Sequence, residues 1–157
     1  MLLENNKHQA EVPLTVSMGH LTGLASRLFN RLLTSRFKQA GINITAEQWG
    51  VILTLKQYGS ISQSQICDIL YLEKSSVSRS VEVLEKNGWI MRVKSQTDSR
   101  TKLVNLTEQS LDVVSECTKI AQGVLDDSQN HIDLKGLNES QELLVKVVSN
   151  LRSLLKS

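Results

Sequence analysis

Apolar residues recur at steps of three and four along most of this chain, and the spacing changes to strict alternation only once, in residues 89–94. The first period is that of an amphipathic helix and the second that of a strand. There is one proline, Pro13, and eight glycines in 157 residues. So few turn formers argue against a many-stranded fold and for long helices. A chain of this length buries roughly 68–70% of its unfolded surface, enough for a core without disulfides or metal. The expected fold class is mostly α.

Residues 1–13 are polar and patternless and read as a flexible N-terminal tail. From about residue 14 to 37, Leu21, Leu24, Ala25, Leu28 and Leu32 share one helix face, and Gly41 is a natural stop. Thr45-Ala46-Glu47-Gln48 has the form of a capping box, opening a helix with Trp49, Ile52, Leu53 and Leu55 inward and Gly59 at its end. Ser62-Gln63-Ser64-Gln65 repeats the box before a short helix, about 63–70, with Ile66, Ile69 and Leu70 inward. After a break at Tyr71-Leu72, a helix of about 73–87 turns Val77, Val81 and Leu84 inward and ends at Gly88. Two short strands, 89–94 and 102–106, joined by a polar turn, make a hairpin. Thr107 is placed to cap a helix whose Leu111, Val114, Thr118, Ala121 and Leu125 approach a heptad seam. Asn138-Glu139-Ser140-Gln141 offers the start of a last helix, striped by Leu143, Leu144, Val147, Leu151, Leu154 and Leu155.

Residues 45–106 thus follow the order of a winged helix-turn-helix. The short helix braces a second helix suited to a DNA major groove, and the hairpin forms a two-stranded wing. The expected organisation is a tail (1–13), an N-terminal dimerisation helix (14–44), the DNA-binding lobe (45–106) and C-terminal dimerisation helices (107–157). Val113, Ile120 and Val124 lie off the seam and Val145 and Val148 off the last stripe. A monomer would leave part of that apolar surface exposed, so a homodimer is expected.

Charge agrees with this use. The net charge of +2 is divided unevenly: +1 over residues 1–73, +4 over 74–102 and −3 over 103–157. A short basic segment in a near-neutral chain is an electrostatic footprint for nucleic acid. On the second helix the outer face carries Ser75, Ser76, Ser78, Arg79, Glu82 and Lys86, with Lys74 at its start. Small hydroxyl residues at a helix N-terminus let the backbone approach phosphate, and arginine suits guanine. The hairpin adds Lys94, Arg100 and Lys102, and an arginine on a thin hairpin fits the minor groove. Glu82 and Glu85 read as solvated charges.

Residues 74–88, Lys74-Ser75-Ser76-Val77-Ser78-Arg79-Ser80-Val81-Glu82-Val83-Leu84-Glu85-Lys86-Asn87-Gly88, resemble the recognition helix and closing glycine of the MarR-type transcriptional regulators. Asp98-Ser99-Arg100 resembles that family's Asp-x-Arg wing motif, and Leu103-Val104-Asn105-Leu106-Thr107 its second wing strand. The resemblance extends over about 14–156. It implies that Arg100 enters the minor groove, that Asp98 orients it by a charge-assisted hydrogen bond, and that the first and last two helices form the dimer. It also implies a small anionic or aromatic effector bound between the dimer helices and the DNA-binding lobe. Arg27, Arg31, Arg36 and His20 suit an anion but equally suit a charged surface, so no ligand residue is assigned. Ser110 stands where many members have glycine, and no second arginine flanks Arg100.

The expected function is a homodimeric, sequence-specific regulator of double-stranded DNA with a pseudo-palindromic site, acting as a repressor. The alternatives are a winged helix used for protein–protein contacts and a thiol-based oxidant sensor built on Cys67 or Cys117. No cofactor is expected. His8, His20 and His131 form no short-spaced metal pair, and no nucleophile motif, phosphate loop or catalytic carboxylate pair points to an enzyme. Six dispersed aromatics make no stacking platform for single strands. No apolar run approaches the roughly 20 residues of a membrane helix, and the first residues lack a signal-peptide layout, so the expected location is the cytoplasm.

Overall fold

A computed structural model describes residues 13–156; the tail expected over 1–13 lies, Pro13 apart, outside the described residues. The order is a 3-10 turn (Leu14–Val16), α1 (Met18–Gln39), α2 (Ala46–Tyr58), β1 (Ile61–Ser62), α3 (Gln63–Leu70), α4 (Lys74–Lys86), β2 (Ile90–Lys94), β3 (Lys102–Leu106), a 3-10 turn (Glu108–Ser110), α5 (Leu111–Ser128) and α6 (Leu134–Leu154). The fold is mostly α with a winged helix-turn-helix at its centre, as the spacing predicts. The chain divides into two compact units at Ile120 and Ala121, and α5 runs across the division.

In the first unit the expected caps form. The Thr45 hydroxyl accepts from Gln48 N at 3.1 Å while Gln48 Oε1 accepts from Thr45 N at 3.0 Å. Ser62 and Gln65 repeat this at 3.2 and 2.9 Å. Each box satisfies two backbone N–H groups at a helix start that have no partner within the helix. Gly41, Gly59 and Gly88 all adopt positive φ. The core is built from Phe37, Trp49, Val51, Ile52, Leu55, Ile66, Val77, Val81, Leu84, Ile90 and Val104, all buried. Phe37 and Trp49 meet edge to face, with centroids 5.7 Å apart. Each such apolar side chain contributes roughly 1.5–3 kcal/mol on full burial.

The wing carries a strand the sequence reading did not foresee. β1, only two residues, pairs antiparallel with β3 (Ile61 opposite Val104), giving a sheet of order β1-β3-β2. β2 and β3 pair from Ile90 opposite Leu106 to Lys94 opposite Lys102. The wing is therefore rooted in the helical lobe through β3.

Four local expectations are corrected. Leu53 faces solvent, and Val51 and Thr54 take the inward places on α2. Thr107 makes no side-chain cap; its hydroxyl donates to the Gly88 carbonyl at 2.6 Å, joining the end of β3 to the end of α4. On α5 the buried line is Val114, Cys117 and Val124, preceded by Ser110 in the 3-10 turn, whereas Leu111 and Leu125 are exposed. Finally, α6 starts before Asn138: Asp133 Oδ1 accepts from Gly136 N at 2.8 Å and sets the N-terminus there.

Both units leave apolar side chains in solvent. On α1 these are Leu21, Leu24, Leu28 and Leu32. In the second unit no residue of α6 is buried, and Leu143, Leu151, Leu154 and Leu155 are all more than half exposed. Among the described residues no helix is long and apolar enough to cross a membrane.

Candidate nucleic-acid interface

α4 is held from below and from both ends. Val77, Val81 and Leu84 are fully buried, and the half-turn between them brings Ser80 inward too. The Ser80 hydroxyl donates to Glu47 Oε1 at 2.9 Å, fixing α4 to the first turn of α2. At its C-terminal end the Gly88 carbonyl accepts from Thr107 Oγ1 and, at 3.0 Å, from Gln109 Nε2. At its N-terminal end, the α3–α4 turn runs through Tyr71 in the left-handed conformation (φ 55), whose N–H bonds back to Cys67 O. Non-glycine residues adopt that conformation at a cost.

With that face inward, 100° per residue directs Ser75, Arg79, Glu82 and Lys86 away from the core. All four are exposed. Ser76 and Ser78 are half-buried on the flanks, and the Ser78 hydroxyl donates to Glu82 Oε1 at 3.2 Å. Lys74 is exposed in the first turn. The N-cap is Glu73, which makes no side-chain cap bond, unlike Thr45 on α2 and Ser62 on α3. The leading N–H groups of α4 therefore face outward without a side-chain acceptor, in the arrangement that suits an anion.

The wing brings together the other predicted residues. Its register sets Lys94 directly across from Lys102. Like charges opposite one another on a ladder destabilise it, so nothing in the sheet's own packing favours this pair. Arg100 is exposed in the turn beyond them. Among the described residues, Lys74, Arg79, Lys94, Arg100 and Lys102 make no ion pair.

The Asp98 carboxylate bonds Arg100 through its backbone N–H. Its Oδ1 accepts from the backbone N–H of Arg100 at 3.0 Å and its Oδ2 from the Thr101 hydroxyl at 2.8 Å. A carboxylate bonding two residues ahead is an Asx turn. These two bonds, the Arg100 N–H first, hold the Asp98 carboxyl below its ordinary pKa. Asp98 shapes the turn and leaves the arginine head unbonded by it.

Sequence reading missed Arg92. It lies within the basic segment 74–102, yet its charge is spent internally: Nε donates to Glu85 Oε2 at 3.0 Å and Nη1 to Gln63 Oε1 at 2.6 Å. One guanidinium thus ties β2 to α4 and to the start of α3. Its only sequence signal was the alternation that turns Arg92 to the same sheet side as Ile90 and Lys94.

The cysteines do not form a reactive pair. Cys117 is buried, and burial together with the neighbouring Glu116 charge pushes its thiol up to about 11. It is protonated at neutral pH, whereas the thiolate is the reactive form. Cys67 is partly exposed on α3. Among the described residues no cluster of three or more His, Cys, Asp or Glu is arranged to hold a metal ion.

Comparison with known proteins agrees with the geometry. The MarR family model matches residues 44–102, the stretch from α2 to the start of β3. The chain is 31% identical over 91 residues to YwoH of Bacillus subtilis, an uncharacterized HTH-type transcriptional regulator, covering 58% of this chain and 64% of that one. It is 33% identical over 86 residues to the HTH-type transcriptional regulator PapX of Escherichia coli, covering 54% and 52%. The match thus spans about half to under two thirds of those relatives' own lengths. Among solved structures, a mutant of E. coli MarR complexed with operator DNA superposes with a TM-score of 0.75 at 21% identity, over 87% of this chain and 99% of that one. A chain described as a MarR family transcriptional regulator from Listeria monocytogenes, complexed with 26mer DNA, superposes with a TM-score of 0.78 at 21% identity, over 86% and 89%. At that identity the superpositions speak to the fold alone. The MarR family model matches the central lobe, HTH-type regulators share its sequence, and the fold carries over most of the length, so the family this chain is similar to is the MarR family.

Proposed function

We propose that this protein is a transcriptional regulator that binds double-stranded DNA as a homodimer, through α4 and the wing, and represses by occupying a promoter in the cytoplasm. The observation that carries the reading is the set of cations on that lobe. Lys94 and Lys102 face one another across the wing, Arg100 extends from its turn, and neither they nor Arg79 is ion-paired among the described residues. A polyanion is the partner that relieves such an arrangement.

In this reading α4 enters the major groove. Its uncapped N-terminus, with Lys74, Ser75 and Ser76, meets phosphate; Ser78 and Arg79 reach toward base edges. Arg100 enters the minor groove, held in place by the turn that Asp98 closes, and Lys94 and Lys102 flank the backbone. The solved relatives with bound DNA support the partner class. The exposed leucines of α1 and α6 support a second copy as the partner of those helices. Two recognition helices related by a two-fold axis call for a pseudo-palindromic site with half-sites roughly 34–36 Å apart. A small-molecule effector would act by favouring a spacing of the two lobes that does not fit the site.

The test is selection from random duplex DNA by the full chain at two salt concentrations. Enrichment of a pseudo-palindrome, with affinity falling steeply as salt rises, is the expected result. A dimer that enriches no sequence and binds no duplex at low salt would sink the reading in favour of a protein–protein module.

A further inference from the structure

One exposed acid does not fit a face built for phosphate. Glu82 lies on the outward stripe of α4 with Ser75 and Arg79, opposite the buried Val77, Val81 and Leu84. It stands three residues beyond Arg79, about 4.5 Å along the helix axis at 1.5 Å per residue. Its partner is the Ser78 hydroxyl, which donates to Oε1 at 3.2 Å. Among the described residues no lysine or arginine neutralises it. A bare carboxylate in the middle of this face repels the DNA backbone and lowers affinity for every sequence alike.

The same carboxylate discriminates strongly between base edges. In the major groove cytosine offers its N4 amino group as a donor. Guanine offers the O6 and N7 acceptors and thymine the O4 acceptor, and these repel a carboxylate. Adenine has an amino donor, but it sits beside the N7 acceptor. We infer that Glu82 is a specificity-determining residue that accepts a hydrogen bond from a cytosine amino group in the major groove. This rests on the DNA-binding reading above and adds a base to it. Ser78 steadies the carboxylate through Oε1 and leaves Oε2 for the base. The axial offset from Arg79 is little more than the roughly 3.4 Å between bases on one strand. If Arg79 reads a guanine, the cytosine read by Glu82 therefore lies within one or two base steps of it. Repulsion from the phosphates lowers the general affinity, and rejection of three bases raises the selectivity.

The experiment is parallel selection from random duplex DNA by the full-length wild type, Glu82→Gln and Glu82→Ala, with melting curves for all three. Glu82 is exposed and, among the described residues, its side chain bonds only Ser78, so the melting temperatures should agree closely, and glutamine keeps an acceptor for Ser78. The wild-type motif should contain one cytosine per half-site that is preferred on the order of tenfold over other bases. In Glu82→Gln that position should shift toward adenine, whose N6 and N7 match a carboxamide. In Glu82→Ala it should become degenerate, while affinity for unrelated duplex rises severalfold. A wild-type motif that both variants reproduce unchanged overturns the inference and leaves the DNA reading intact. A wild type that enriches no motif overturns both.

Discussion

Arg92 Nε donates to Glu85 Oε2 at 3.0 Å, so the first wing strand is tied to the outer half of the helix it follows. The tie matters because β2 and α4 are joined through only a short connection, and the wing turn lies a full strand away from it. Both side chains are partly in solvent, which limits what the pair contributes to stability. A double-mutant cycle of Arg92→Ala and Glu85→Ala should give a coupling of about 0.5–1 kcal/mol by denaturant unfolding, since partly exposed pairs fall in that range. Strict additivity of the two single variants would show that the pair does not hold in solution. Duplex affinity of Arg92→Ala should drop a few-fold although Arg92 is spent inside the lobe, because the wing loses an anchor.

Arg100 behaves in the opposite way. It is exposed, and the turn around it is closed by the Asp98 carboxylate on its backbone N–H, not on its head group. Arg100→Ala should therefore stay inside the about ±0.5 kcal/mol of ordinary surface changes, a shift of no more than roughly 1–2 °C in melting temperature. Its duplex affinity should fall by roughly tenfold, and the slope of log affinity against log salt should shrink by about one. An unchanged slope and affinity would remove the wing from the interface.

Gly88 joins both halves of the lobe through one carbonyl. Its φ is +78, and a Cβ there would stand 2.5 Å from Gln109 Nε2, the donor that together with Thr107 holds that carbonyl. Gly88→Ala should destabilise the chain by about 1–2 kcal/mol from the left-handed backbone alone, with further loss if Gln109 must turn away. A thermal midpoint equal to wild type would show that the α4 end relaxes freely. Gln109→Ala in the same background should recover only the second part.

How far the sequence could be read follows from the range of the interactions involved. Both capping boxes and all three helix-ending glycines were legible, because each is decided by residues within three or four positions. So was the inward triplet Val77, Val81 and Leu84. What was not legible depended on partners far along the chain. β1 exists because Ile61 meets Val104, 43 positions away, and two residues carry no periodicity of their own. Thr107 looked like a cap but serves Gly88. Arg92 contributes to the charge of the basic segment, and nothing near it in sequence shows that Glu85 and Gln63 take that charge up. Tyr71 gave no sign of its left-handed backbone, since glycine is the residue that normally marks such a position. The exposure of Lys74, Ser75, Arg79, Lys94 and Arg100 was legible from the helix and hairpin periods, while the side chains that hold the frame, Ser80, Arg92 and Thr107, were not.

Cys117 offers a test of the buried face of α5 that is read by pH. Burial raises its thiol from 9.0 to about 11, with the Glu116 charge acting in the same direction. As pH rises past 9 the unfolded chain gives up this proton first, while the folded chain retains it to about 11. The stability that the buried neutral thiol contributes is therefore fully present below pH 9 and is lost between 9 and 11. The measurement is a difference between wild type and a variant that lacks the thiol. Cys117→Ala should be less stable than wild type at pH 7, because it leaves a small void beside Val114 on a buried line. The gap between the two melting temperatures should then narrow as pH climbs from 9 to 11. A gap that stays constant across that range would mean that the thiol titrates normally and that this face of α5 admits water.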